Sequence, residues 1–289
     1  MRFHEALVMG SVVRIYENGF VEVVEKPRNL FCPYMLRVYG VRKSCEDVVE
    51  HVVKLKMVVF GLFTSRRGFV TSKVVSFGTS EIVSWGMEKG FFDCAVVVCD
   101  GAGTVVAKKS ELVQGIGAVM NGLLKTYPIS EVIKTVEDMG GVVLDKENAL
   151  IDQVKGVSKA AEIGCRKVAV SVIGARCWEI SEVREAEKKL GIDVTVFSTC
   201  NTLAKQECIT HMEKADYVCT SANEMIRKAL AEKALMQLGV TIPVYIMSRK
   251  MKDIILEYLK ELDEKLLIRR VKLPYEEKYT ATCSNCEWL

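Results

Sequence analysis

This chain of 289 residues contains few histidines and few prolines, and neither sign of charge is in large excess. It contains 3 histidines and 5 prolines, and its 40 basic residues exceed its 37 acidic residues by only 3. A nucleic-acid-binding surface needs clustered excess Lys and Arg, so this near balance argues against a nucleic-acid partner. The histidines (His4, His51 and His211) are too scattered to predict a catalytic base.

Long apolar runs and targeting signals are also missing. No segment reaches the roughly 20 apolar residues that a transmembrane helix requires, so we expect no membrane partner. The first eight residues lack the layout and cleavage site of a signal peptide, which predicts a cytoplasmic protein. Disulfides are not expected in that reducing compartment. The 11 cysteines should therefore be core residues, metal ligands or free thiols.

Motifs of common enzymes are absent as well. Gly101 and Gly103 lack the Lys-Ser/Thr of a P-loop, and their spacing is not that of a dinucleotide-binding turn. A tight turn is the simpler interpretation of these two glycines. No nucleophile–base pair or zinc-binding helix motif stands out, so the catalytic residues are unknown and enzymatic activity is left open.

The order of apolar patterns indicates an α/β fold. Asn18-Gly19 separates two alternating runs, which predicts an N-terminal β-hairpin. From about residue 152, strands alternate with helices, as in βαβ units. We predict a mostly parallel, twisted, Rossmann-like sheet flanked by helices. The domain prediction is an N-terminal part, 1–145, and a Rossmann-like part, 146–289, with a soft boundary or one continuous domain. The helices of the second part are predicted at 153–163, 180–190, 203–214, 224–238 and 249–262, and its strands at 167–172, 194–197, 216–219 and 242–247.

Cysteines recur where the predicted strands end. A buried apolar strand ends at Cys99 and Asp100, and two glycines follow within three residues. Four of the five predicted strand ends carry a cysteine. Ligands of open parallel sheets bind outside the carboxyl ends of the strands. We therefore expect a cleft there, with Cys99 facing the cysteines of the neighbouring strand ends.

Two chemistries fit such a cleft. Converging thiolates could hold an iron–sulfur cluster or another soft metal, and the candidate ligands are Cys99, Cys219, Cys200 and Cys177. Alternatively, backbone N–H groups at helix N-termini could bind a small anion. The candidates for that ligand-binding role are Asp100, Gly101, Gly103, Ser198, Thr199, Thr220 and Ser221. Simpler roles compete with both: buried core cysteines, ordinary helix caps and an aspartate that caps its turn.

The C-terminus offers a second candidate metal site, at Cys283 and Cys286. Cys-x-x-Cys is half of a zinc or cluster site. The other half would have to come from elsewhere, for example from Cys32 or His4. An exposed dithiol without metal is the competing interpretation.

Several segments resemble methanogenesis marker protein 8, an archaeal family found with the methane-forming machinery. They are Cys99–Val106, Glu111–Gly117, Pro128–Ile133, Ile151–Val157, Ala215–Cys219 and Leu273–Glu277. The resemblance implies an accessory role in the assembly, activation or modification of methyl-coenzyme M reductase, a nickel tetrapyrrole enzyme. That enzyme or its activation machinery is then the expected protein partner. The family supplies no catalytic residues, and Cys99 and Cys219 are the favoured functional cysteines.

Three functions remain open from the sequence. The first is an accessory protein that carries an iron–sulfur or other thiolate-bound centre. The second is an enzyme that acts on a small anionic ligand at the strand ends. The third is a structural partner that docks onto a larger assembly and has inert cysteines.

Overall fold

The computed structural model describes residues 1–28, 36, 40, 42–72, 77–263 and 265–267. Within these ranges the chain forms two sheets and nine α-helices, so the predicted α/β class is confirmed. The smaller sheet is antiparallel and the larger one is mixed. The finer prediction of a mostly parallel, Rossmann-like sheet therefore needs correction.

The smaller sheet contains the predicted N-terminal hairpin. Its strands are β1 (Phe3–Val8), β2 (Ser11–Tyr16), β3 (Val21–Glu25) and β6 (Gly122–Lys125), in the order β3-β2-β1-β6. The Asn18-Gly19 hairpin between β2 and β3 is confirmed, and Gly19 has the positive φ of +84° that such a turn requires. Helix α1 (Glu46–Phe60) packs on this sheet and places Val49 and Val53 in its core.

The larger sheet has parallel strands in its centre and antiparallel strands at both edges. Its order is β11-β12-β10-β9-β8-β4-β5-β7, and β4, β8, β9 and β10 are parallel. The ranges are β4 (Cys94–Cys99), β5 (Gly103–Ala107), β7 (Gly141–Val143), β8 (Lys167–Ile173), β9 (Asp193–Thr199), β10 (Tyr217–Cys219), β11 (Met236–Leu238) and β12 (Val244–Ile246).

Short connections explain two of the antiparallel pairs. Only residues 100–102 join β4 to β5, and only residues 239–243 join β11 to β12. A parallel pair needs a crossover of a dozen or more residues, so these neighbours must be antiparallel. The prediction of a helix over 224–238 is wrong at its end, because Met236–Leu238 pairs with β12 and extends the sheet. The helix predicted at 203–214 shortens to a 3₁₀ turn and Ile209–Met212.

Helices cover both faces of the larger sheet. One face carries α2 (Thr79–Glu88), α3 (Ser110–Gly117), α4 (Ser130–Asp138) and α9 (Arg249–Lys260). The other carries α5 (Gln153–Glu162), α6 (Trp178–Leu190), α7 (Ile209–Met212) and α8 (Glu224–Leu230). In the described part of the chain, none of these helices is long and apolar enough to cross a membrane.

The larger sheet also crosses the boundary predicted near residue 145. Strand β4 precedes that boundary and β8 follows it, yet Cys94–Val96 pairs with Val168–Val170. The two predicted parts therefore share one sheet.

Candidate functional site

A cavity of about 400 Å³ lies at the carboxyl ends of the parallel strands. Strands β4 and β8 pair only as far as Val96 and Val170. Beyond that point the Gln153 side chain bridges them, because its Nε2 donates to Val96 O at 3.3 Å and to Ser171 O at 2.6 Å. Gln153 therefore satisfies backbone carbonyl groups that the strand ladder leaves open, and the cavity forms beside this split.

The smaller sheet and two helix ends enclose the cavity from the other side. Met9 after β1, Met120 before β6, Gly78 before α2 and Gly117 at the end of α3 all line it. Much of the remaining wall is apolar, since valine and alanine side chains of β4 and β8 contribute to it. Such a wall suits the apolar part of a small ligand.

One group of polar side chains in the cavity is formed by Lys56, Cys200 and Cys219. Cys200 directly follows β9 and Cys219 ends the neighbouring strand β10, so the two thiols lie at adjacent strand ends. Burial raises the pKa of Cys200 to about 11 and lowers the pKa of Lys56 to about 8. At neutral pH the cavity therefore contains a neutral Cys200 thiol and a positively charged ammonium.

A second polar group is the ion pair of Arg176 and Glu179. Glu179 is 2% exposed, and its Oε1 accepts from Arg176 Nη2 at 2.7 Å and from Gln153 N at 3.2 Å. The hydrogen bond to Glu179 is the main reason why the pKa of Arg176 is raised. Both side chains line the cavity; Arg176 comes from the turn before α6 and Glu179 from the first turn of α6.

Strained backbone is concentrated around this cavity. Among the described residues, six other than glycine have positive φ, and four of them line the cavity: Met9, Phe77, Cys200 and Ser221. This left-handed conformation is unfavourable for residues with a Cβ. Strain of this kind tends to collect at ligand-binding and catalytic sites.

The predicted anion-binding residues at the ends of β9 and β10 divide into two pairs. Thr199 and Ser221 line the cavity, as expected. Ser198 and Thr220 are fully buried elsewhere, with Ser198 bonded to the Asn201 side chain and Thr220 donating to Pro243 O at 2.8 Å. Neighbouring residues of an extended strand point to opposite faces, which explains the division of Ser198 from Thr199 in β9. Ser221 lies beyond β10 and has a positive φ of 52°.

Asp100, Gly101 and Gly103 lie away from the cavity. Asp100 forms a buried ion pair with Arg67 and accepts from Phe63 N. A Cβ on Gly103 would lie 2.3 Å from Ala149 O, and one on Gly101 would lie 3.1 Å from the Ile129 side chain. The space beside these glycines is therefore filled by the protein's own chain.

Cys99 is also separated from the other predicted metal ligands. It is fully buried, and its thiol donates to Asp100 O at 3.4 Å. Three strand spacings separate β4 from β10, which places Cys99 about 14 Å from Cys219. That separation is too large for both to ligate one compact cluster.

Cys177 forms a disulfide with Cys208, with 5.5 Å between the two Cα atoms. The expectation that disulfides are absent is therefore corrected, and Cys177 is not a free thiol.

Cys283 and Cys286 lie outside the described residues. Within the described ranges, no three or more His, Cys, Asp or Glu side chains are arranged to hold a metal ion. The predicted cluster of Cys99, Cys177, Cys200 and Cys219 does not form in the structure, because Cys177 is disulfide-bonded and Cys99 is distant from Cys219.

Sequence reasoning missed Lys56, Gln153 and Glu179 as cavity residues. A signal for Lys56 was present, because it continues the buried helical positions Val49, Val52 and Val53. In the structure the Lys56 ammonium donates to Val119 O at 3.0 Å and to the Asn121 side chain, so a lysine in that register is a hydrogen-bonded buried cation. No comparable signal marked Glu179, whose role depends on contacts with α5.

The fold and site define an α/β protein with a ligand-sized cavity at the ends of its parallel strands. A family model described as "Uncharacterized protein conserved in archaea (DUF2099)" matches residues 4–260. The chain is also 33% identical over 276 residues to an uncharacterized protein of Methanocaldococcus jannaschii, and the alignment covers 94% of this chain and 95% of that relative. The chain therefore belongs to this archaeal family. Its resemblance to methanogenesis marker protein 8 stays a prediction.

Proposed function

We propose that the protein binds a small molecule in the cavity at the strand ends. The observation that carries this proposal is the coincidence of the cavity with four of the six strained residues other than glycine in the described chain. Its volume of about 400 Å³ lies within the range of small-molecule sites. The location also agrees with the general rule that ligands bind outside the carboxyl ends of parallel strands.

The lining indicates what such a ligand contains. Valine and alanine side chains accept an apolar body, while Lys56 and the Arg176–Glu179 pair meet polar groups. The Lys56 charge would attract an anionic group, which supports the alternative of an enzyme acting on a small anionic ligand. Burial raises the pKa of the Cys200 thiol and keeps it a weak nucleophile, so the proposal is limited to binding.

A cavity-filling variant tests binding. Val97 lines the cavity, whereas Val58 is 83% exposed on α1, so Val97→Phe and Val58→Phe form a matched pair. Native mass spectrometry of protein from an archaeal host should detect a bound small molecule in the wild type and in Val58→Phe. The ligand should be lost from folded Val97→Phe. Equal retention in both variants would contradict the proposal.

A second candidate function is an accessory role for methyl-coenzyme M reductase in the cytoplasm of a methanogen. The resemblance in sequence carries it, and membership of an archaeal family is consistent with it. Deletion of the gene in a methanogen should then lower the activity of the reductase without lowering its subunit levels. Unchanged reductase activity and methane formation would contradict this role.

An iron–sulfur centre is the cofactor proposed for that role. Of the predicted ligands in the described chain, only Cys200 and Cys219 are adjacent free thiols. The centre would therefore need ligands from outside the described residues. Anaerobic purification followed by iron and sulfide analysis tests the proposal, with Cys200→Ser and Cys99→Ser compared. Metal-free wild-type protein would contradict it for the isolated chain.

A further inference from the structure

Cys200 and Cys219 are free thiols at adjacent strand ends, and both line the cavity. Each residue keeps part of its surface accessible, whereas the free thiols of Cys94, Cys99 and Cys165 are buried in the core. A molecule that occupies the cavity therefore meets two cysteines at once.

The backbone spacing of this pair suits a bond between its sulfur atoms. The register of β9 and β10 places Cys219 level with Thr199, and Cys200 is the next residue. One strand spacing combined with the rise of one residue puts the two Cα atoms about 6 Å apart. Disulfides span Cα distances of about 4.4–6.8 Å. The Cys177–Cys208 bond of this chain, at 5.5 Å, lies in the same range.

Contacts of Ser221 and Asn201 hold the two strand ends together. The Ser221 hydroxyl lies 3.8 Å from Cys219 Sγ and accepts from Asn201 N, the peptide group after Cys200, at 3.0 Å. The Asn201 side chain in turn donates to Cys219 O at 2.7 Å. Cys200 has a positive φ of 51°, so its side chain is released from the alternation of faces that holds within a strand. Both thiols can therefore border one cavity.

The surroundings of Cys200 favour it as the attacking thiol. Burial and the neighbouring Cys219 raise its pKa, while hydrogen bonds with Thr199 and Gly122 and the charge of Lys56 act in the opposite direction. The thiolate is the form that attacks a disulfide, and these three groups stabilise it. Because burial still keeps the thiol a weak nucleophile, reaction depends on a bound ligand whose reacting atoms are held beside it.

We propose that Cys200 and Cys219 reduce a small disulfide that enters the cavity. The Cys200 thiolate attacks one sulfur of the ligand and releases the first thiol, which leaves a mixed disulfide on the protein. Cys219 then attacks the Cys200 sulfur and releases the second thiol. Two electrons pass from the protein sulfurs to the ligand, the two protons of the cysteines end on the released thiols, and a Cys200–Cys219 disulfide remains. This reaction rests on the proposal that the cavity binds a small molecule, and it specifies the class of that molecule.

The probe is bis(2-hydroxyethyl) disulfide, incubated anaerobically with the full chain at neutral pH. Remaining free thiols are alkylated, and trypsin then separates Cys200 and Cys219 into peptides 190–205 and 215–227, with Cys208 in a third. Wild-type protein should yield these two peptides joined by a disulfide, and only after treatment with the probe. If both are recovered unlinked when the exposed Cys45 carries the mixed disulfide, the proposal is overturned.

Two cysteine variants test the order of the steps. Cys200→Ser should abolish the linked peptides, and Cys219→Ser should stop the reaction at a probe group on Cys200. Cys45→Ser changes an exposed free cysteine, so it is the control and should still form the link. Circular dichroism checks folding, and Cys219→Ser carries the test if Cys200→Ser does not fold. A folded Cys219→Ser protein without the probe group on Cys200 contradicts the proposed attack.

Val97→Phe and Val58→Phe distinguish reduction from binding. The linked peptides should be lost in folded Val97→Phe and kept in Val58→Phe, because only Val97 lines the cavity. Equal linking in both variants means that the probe does not act from the cavity, which overturns the proposal. If Val97→Phe loses the bound small molecule while the wild-type cysteines stay unlinked with the probe, the binding proposal stands and only the reduction fails.

Discussion

Arg67 Nε lies 3.1 Å from Asp100 Oδ1, and both side chains are completely buried. Arg67 also donates to Gly115 O at 3.0 Å and to Ile116 O at 3.1 Å. Burial is the largest single effect and by itself would lower the pKa of Arg67, but the charge and hydrogen bond of Asp100, together with Cys99, raise that pKa overall. The pair therefore joins the loop after α1, the β4–β5 turn and the end of α3.

Removal of one charge from this pair should be strongly destabilising. Asp100→Asn keeps the size of the side chain but leaves the Arg67 charge buried without a counter-ion. We expect the free energy of unfolding to fall by about 3–5 kcal/mol, measured by urea denaturation. Glu224→Gln breaks the exposed pair with Lys228 and serves as the control, with no measurable change expected. An equally small effect of Asp100→Asn would contradict the assigned role.

The strand that leads to Asp100 could be predicted from sequence. Arg67, the ion-pair partner of Asp100, could not. The apolar run at Ala95–Val98 and the two glycines are local signals, and the structure has both the strand and a tight turn there. Arg67 lies 33 residues earlier in an irregular loop, and no periodic pattern connects it to Asp100. The hairpin to β5 was missed because the apolar run was interpreted as a strand of a parallel sheet and no strand was predicted at Gly103–Ala107.

For the candidate site too, sequence predicts the residues at strand ends but not those brought in by long-range packing. The rule for parallel strand ends correctly places Thr199, Cys200, Cys219 and Ser221 around the cavity. It fails for Cys99, because a hairpin rather than a helical crossover follows that strand. Lys56 and other cavity residues come from elements whose packing depends on the whole fold.

The close packing at Gly103 can be tested by comparing its substitution with that of Gly164, a glycine with free space around it. Gly103 and Gly164 both have positive φ, but only Gly103 has backbone atoms where a Cβ would lie. Gly164→Ala should therefore cost about 1 kcal/mol from backbone strain alone. Gly103→Ala should cost about 2–5 kcal/mol, because Ala149 must also move. Chemical denaturation of the two variants measures the difference, and equal costs would contradict close packing at Gly103.

The disulfide between Cys177 and Cys208 should stabilise the chain under non-reducing conditions. It closes a separation of 31 residues, for which loop entropy predicts about 2–4 kcal/mol. Cys208→Ala should lose this amount, and the exposed, free Cys45 provides the control Cys45→Ala. Addition of reductant should destabilise the wild type but not Cys208→Ala. Peptide mapping that recovers both cysteines as free thiols in non-reduced protein would contradict the bond.

The buried Lys56 should make stability depend on alkaline pH. Burial lowers its pKa from 10.5 to about 8, while the unfolded chain keeps the ordinary value. Between these two pH values the unfolded state binds more protons than the folded state, so the free energy of unfolding rises with pH. A shift of this size corresponds to a gain of about 3 kcal/mol.

Lys56→Met removes this titration and retains an apolar chain of similar length. The difference in unfolding free energy, wild type minus Lys56→Met, should be constant below about pH 8 and then rise toward pH 10.5. Urea denaturation at intervals of half a pH unit measures it. Lys54→Met is the control on the same helix, since Lys54 is about half exposed, and it should show no comparable rise. A difference for Lys56→Met that stays flat from pH 7 to 10 would mean that the ammonium group is solvated, and the cavity would then lack its buried cation.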